Sequence, residues 1–172
     1  MEMLGRTLDL VVGQVPVDLT TAGSTGKRVA LRNFGTATIF VALAAAASGT
    51  ETVTLTLKQH TAASSGTTAN LAIVDHFYVK VQATGAETWQ KVTQAASQTI
   101  AVADTVGTIT GSAQKTLVVA IAVDAQSLSD GYTHISIDAA DPGSVSRLGS
   151  VIYALGDLHV KRTPANLPNP QA

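Results

Sequence analysis

No cysteine occurs among the 172 residues, which excludes disulfides, thiolate metal sites and thiol nucleophiles but leaves the redox compartment open. Charge is scarce as well: Asp, Glu, Lys and Arg make up 13% of the chain, against roughly 25% in an ordinary soluble domain. The basic residues are scattered and the net charge is −1. No basic stripe interleaved with aromatics results, so direct binding of DNA or RNA is not expected. Long apolar runs are missing too. The longest, IFVALAAAA at residues 39–47, is about half a membrane span, so no membrane contact by a crossing helix is expected. The start, MEMLGRTLDL, lacks the basic beginning, apolar centre and small-residue cleavage site of a secretory signal, which argues against export by that route. Aromatics contribute only 4%.

What fills the space is Ala, Thr, Ser and Gly, with 45% hydrophobic residues overall. A chain with so few charges hides surface against a neighbour, so an oligomer or a subunit of a larger assembly is expected. The length suits one domain. We divide it into an N-terminal arm and loop at 1–26, a β domain at 27–160 and an extended tail at 161–172 carrying Pro164, Pro168 and Pro170.

The stretch 113–140 organises the reading. Leu117, Val119, Ile121 and Val123 alternate with Val118, Ala120 and Ala122, which predicts a strand buried on both faces. Asp124 then caps a single turn through Leu128, Gly131 supplies a left-handed exit, and a strand returns from Tyr132. There Ile135 and Ile137 face the core, while His134, Ser136 and Asp138 face water.

Other strands follow from period-two patterns. Leu8, Leu10 and Val12 alternate with Asp9 and Val11 in an edge strand or arm. Val29 and Leu31 lead through Gly35 into TATIFVAL as a hairpin. In 52–60, Val53, Leu55 and Leu57 point inward; a loose polar loop, 61–70, separates them from a strand with Leu71, Ile73, Phe77, Val79 and Val81 on one face. A further hairpin brings TWQKV alongside, a weak strand follows at 98–102, and 147–155 closes the domain, covered on both faces. Nine or ten short strands with frequent turn signals predict an all-β fold, a β-sandwich of jelly-roll type.

Chemistry is harder to find. GSTGK at 23–27 is not a phosphate loop: Thr21 stands where glycine is needed, Arg28 where a hydroxyl is needed, and a strand follows instead of a helix. His60, His76, His134 and His159 show no metal-ligand spacing, although His76 and His134 could meet across strands. Asp124, Asp130, Asp138 and Asp141 do not fit a calcium loop and read as caps and turn formers. Asp75, on an apolar face, calls for a partner such as Arg32 or else a place at the strand's solvent end. GSVSRLG at 143–149 is not a nucleophile elbow, and Trp89 with Tyr78 could form a sugar-stacking platform but more simply packs. We therefore expect no catalytic, cofactor-binding or metal residues and no enzyme.

The segments TVTLTLKQHT, FYVKV with TWQKVTQA, VVAIAVDAQSLSDGYTHISID and GSVIYALGDLHV before a proline-rich tail resemble capsid-associated proteins of tailed bacteriophages. The resemblance spans about residues 28–170, most specifically VDAxSL…DGY…I. It implies a head decoration or cement protein: a structural virion component on the capsid surface, made in the host cytoplasm. Its partners would be the major capsid protein and copies of itself, as a trimer. The contact elements would be the arm from Met1 to Val15, the loop from Thr61 to Asn70 and the tail from Lys161 to Ala172. The alternative is a receptor- or carbohydrate-binding module of a phage head or tail fibre.

Overall fold

The computed structural model describes residues 3–20, 24–82 and 88–171. Its strands in chain order are β1 (Leu8–Asp18), β2 (Ser24–Thr25), β3 (Val29–Ala30), β4 (Phe34–Leu43), β5 (Val53–His60), β6 (Thr68–Asn70), β7 (Val74–Val81), β8 (Gln90–Ser97), β9 (Thr99–Val102), β10 (Leu117–Asp124), β11 (His134–Ala139) and β12 (Leu148–Leu158). The helical elements among the described residues are three single 3-10 turns. The larger sheet runs β1-β12-β4-β10-β7-β8; the smaller has β11 and β5 at its centre, β2 and β3 sharing one flank and β6 and β9 the other. Every pair of these strands is antiparallel. The protein is an all-β, two-sheet sandwich.

Period-two patterning puts one core between the sheets. Ile39, Val41, Val79, Val119, Ile121, Val151 and Leu155 from the larger sheet meet Val53, Leu55, Leu57, Ile100, Val102, Ile135 and Ile137 from the smaller. Each such side chain contributes about 1.5–3 kcal/mol by leaving water, so the register is strongly specified. Tyr153 joins the two layers. Its ring lies on the inner face of β12 at a point where a Cβ on Gly13 would overlap it, and its hydroxyl accepts the Ile137 N–H at 3.0 Å. That N–H falls between the short stretches where β3 pairs with His134–Ile135 and β2 with Asp138–Ala139, so no strand supplies an acceptor for it.

Several expectations are corrected. β10 and β12 are not covered on both faces: Ala122, Leu148 and Ile152 lie exposed, because nothing packs over the outside of the larger sheet. β11 shows the opposite departure, with His134 and Ser136 buried on the side read as wet. Val29 and Phe34 do not belong to one hairpin, since β3 pairs in the smaller sheet and β4 in the larger. The Thr61–Asn70 segment is not a loose loop. It returns as β6 against β5, and the Arg28 guanidinium holds it through the carbonyls of Ala62 (3.0 Å) and Ser65 (2.8 Å). The one-turn corner is present at Ala125–Ser127 and Gly131 has φ +83°, but the Asp124 side chain makes no capping bond.

Neither terminal segment is free. Residues 8–18 of the expected arm form β1, paired along β12. The tail folds back: Arg162 N–H donates to Gly5 O at 2.9 Å, Ala30 N–H to Pro170 O at 2.7 Å and Gln171 Nε2 to Val12 O at 3.0 Å, with Pro170 buried. A proline-rich segment lacking its own strand finds acceptors and donors on the edge it crosses.

Candidate functional site

The outer face of the larger sheet is built by strand alternation. Because side chains at paired positions project to the same side, the registers define cross-strand rows. The middle row reads Val12, Ile152, Phe40, Ala120, Tyr78 and Lys91 across all six strands. One row away lie Leu10, Ala154, Thr38 and Ala122; on the other side lie Ser150, Ala42, Val118 and Lys80. Leu10, Val12, Val15, Leu148 and Ile152 are 43 to 67% exposed, which makes the β1–β12 side an aliphatic patch and not a set of single exposed residues. Toward β7 and β8 the face becomes aromatic and cationic, with Tyr78 and Trp89 exposed beside Lys80 and Lys91. His76 packs edge-on against Tyr78, with ring centroids 5.7 Å apart.

Asp75 does not sit on an apolar face and Arg32 is not its partner. A bulge between Val74 and His76 shifts the alternation and turns the carboxylate outward, where it bonds the neighbouring His76 Nδ1 at 2.6 Å. That hydrogen bond holds its pKa below the usual carboxylate value.

The histidines do not converge. His76 lies on the larger sheet, whereas His134 sits opposite His60 on the smaller one. His60 is 2% exposed and bonded at both ring nitrogens, Nδ1 to Thr68 Oγ1 at 2.9 Å and Nε2 to Ser136 Oγ at 2.8 Å. Burial, aided by the nearby Arg28 charge, pushes its pKa down to about 4, against the opposing pull of Asp138. A folded pKa below the ordinary value of about 6.5 means that unfolding takes up a proton, so this contribution is present above pH ~6.5 and lost as pH falls toward about 4. His60→Gln is therefore expected to flatten the decline of the urea midpoint between pH 6.5 and 4; an unchanged decline would assign the acid sensitivity elsewhere.

The remaining candidates disperse. Asp138 pairs with Lys58 at 2.5 Å, Asp141 accepts the Gly143 N–H within its turn, and Asp130 is exposed beyond the 3-10 corner. Asp124 lines a shallow groove of about 750 Å³ with Asp157, His159, Thr36, Gln126 and Ser127. Asp157 adopts φ +53°, and its carboxylate occupies the space a Cβ on Gly35 would need. Among the described residues no three His, Asp or Glu side chains are placed to hold a metal ion. In 143–149, Ser144 and Ser146 bond Glu51 and Asp18, and Arg147 is buried. Thr21 and Ala22, and Gly23 of the GSTGK segment, lie outside the described residues, as does 83–87 before Trp89.

Two features escaped the sequence reading. The aliphatic outer face was hidden because Leu10 and Ile152 look like core residues until the register is known. Arg147 carried no signal beyond its place in an apolar segment. No family model matches the chain, nor does any curated protein or solved structure.

Proposed function

We propose that this chain is a structural virion protein that decorates and stabilises a bacteriophage capsid, bridging capsomers as an oligomer with the major capsid protein as its partner. The observation that carries the reading is the exposed aliphatic patch on the outside of the larger sheet, formed by Leu10, Val12, Val15, Leu148 and Ile152 in an otherwise closed sandwich. Folding normally hides such a surface, and a protein that keeps it is completed by a neighbour. The strand order supports the same reading. We read β1-β12-β4-β10 in one sheet and the β2/β3 flank, β11, β5 and the β6/β9 flank in the other as the nested Greek keys of a jelly roll, with the β7–β8 hairpin added at one edge. Jelly rolls serve viral capsids, and lectins as well, so the fold alone does not choose.

Tyr78 and Trp89, exposed on one face of adjoining strands, support the second reading, a carbohydrate-binding module of a head or tail fibre. One experiment separates the two. Purified protein mixed with phage heads that lack it is expected to sediment with them in a fixed ratio to the capsid subunit and to raise the temperature at which they release DNA. Protein left in the supernatant, together with glycan-array binding abolished by Trp89→Ala, would establish the second reading instead.

A further inference from the structure

We infer that the outer face of the larger sheet is the surface that docks on the shell, and that the partner surface is a protein patch with an apolar centre and carboxylates on its rim. This rests on the capsid reading and adds to it the face, the chemistry of the partner and the exclusion of a second copy from that face.

The charges decide the partner. In the three central rows there is no carboxylate; the formal charges are Lys80 and Lys91, both on the β7–β8 side, and Asp18 and Asp124 lie only at the ends. Asp75 stands off the rows in its bulge and is taken up by His76. A second copy stacked face to face must be related by a two-fold axis lying between the sheets. With the axis across the strands, Lys80 of one copy falls near the other's His76 and Asp75, a pair already bonded to each other, and the two Lys91 side chains meet. With it along the strands, the lysines meet the aliphatic β1–β12 side. Neither arrangement gives Lys91 a carboxylate, and both bury it at a cost. A partner with acidic groups outside an apolar centre satisfies both halves of the face at once.

Size points the same way. Six strands at about 4.8 Å spacing and about 20 Å of strand length give a footprint of roughly 500 Å², modest for a single contact. Such a face suits a shell that repeats the site, where oligomeric copies gain through avidity. A bilayer is a poorer occupant: the centre of the face is made of Thr38, Ala42, Ala120, Ala122 and Ser150, and two lysines fall short of a basic cluster.

The test uses the full chain and heads lacking it. Val12→Thr/Ile152→Thr keeps β-branched shape while removing apolar surface, and Lys80→Glu/Lys91→Glu reverses the charge. Lys27→Glu/Arg32→Glu makes the same charge change off the face. Each face variant is expected to raise the half-saturating concentration for head binding at least tenfold with an unchanged melting temperature, and the control less than threefold. Face variants that bind as the wild type does would overturn the inference while leaving the capsid reading standing; wild-type protein that fails to bind heads would overturn both. Sedimentation velocity showing a dimer dissolved by the face variants would also overturn it, in favour of a second copy. So would wild-type protein pelleting with vesicles of phosphatidylserine and phosphatidylcholine but not with heads.

Discussion

Tyr153→Ala is expected to lower the free energy of unfolding by about 5 kcal/mol, the largest loss from any single truncation in the core. Two effects combine. The ring, fully buried between β12 and the backbone at Gly13, leaves a cavity worth about 3–5 kcal/mol for an aromatic truncation. The hydroxyl is the acceptor for the Ile137 N–H at the break between β2 and β3, and its loss strands a buried donor at about 1–3 kcal/mol. Tyr153→Phe separates them, since it keeps the ring and removes only the acceptor. Urea unfolding should show about 1–3 kcal/mol for Phe and the larger value for Ala. Equal losses would mean that the hydroxyl carries the whole effect and the ring packs loosely. Burial raises the phenol pKa, so Tyr153 stays a neutral partner through the ordinary pH range.

Arg147→Ala is the second large loss, expected at about 3 kcal/mol. Arg147 is 2% exposed and its guanidinium ties the residue after β4 to the 3-10 turn at Ser112–Gln114. Nε donates to Ala44 O and Nη2 to Ser112 O, both at 3.0 Å, while its own carbonyl accepts the Leu19 N–H at 3.0 Å. Burial lowers the pKa of the cation and the Asp104 charge opposes this, so desolvation offsets part of the gain. Arg147→Met fills the space without the donors. If the hydrogen bonds matter most, Met is as damaging as Ala in thermal unfolding. If volume matters most, Met recovers more than half of the loss.

Much of the fold could be read from local pattern. β5 shows why: Val53, Leu55 and Leu57 face a core and Thr54, Thr56 and Lys58 do not, and the period of two is visible without knowing any neighbour. β1 shows where such reading stops. Its alternation suggests Leu8, Leu10 and Val12 inside and Asp9 outside, yet Asp9 is buried and Leu10 and Val12 are exposed. The inversion comes from the partner strand. Gly13 must lie over the Tyr153 ring, which sets Val12 opposite Ile152 on the outer face, and a one-residue difference exchanges the faces of the whole strand. Asp9 then accepts the Leu10 N–H at 2.8 Å, and burial raises its pKa. His134 and Ser136 fail for a related reason. Their polar side is closed by His60, bonded to Ser136, and by Arg28, which holds the Thr61–Asn70 segment, contacts 34 or more residues apart in sequence. The aliphatic side of the candidate docking face was illegible on the same grounds: Leu10, Val12 and Ile152 resemble core, and only the order of the strands brings them to one exposed side.

The most direct measurement is an electron cryomicroscopy reconstruction of phage heads carrying this protein. The account predicts density for the sandwich over junctions between capsomers, with Val12, Ile152, Lys80 and Lys91 turned toward the shell and acidic side chains beneath the two lysines. Heads whose surface shows no such density at saturating protein, or a sandwich seated with that face toward solvent, would contradict it.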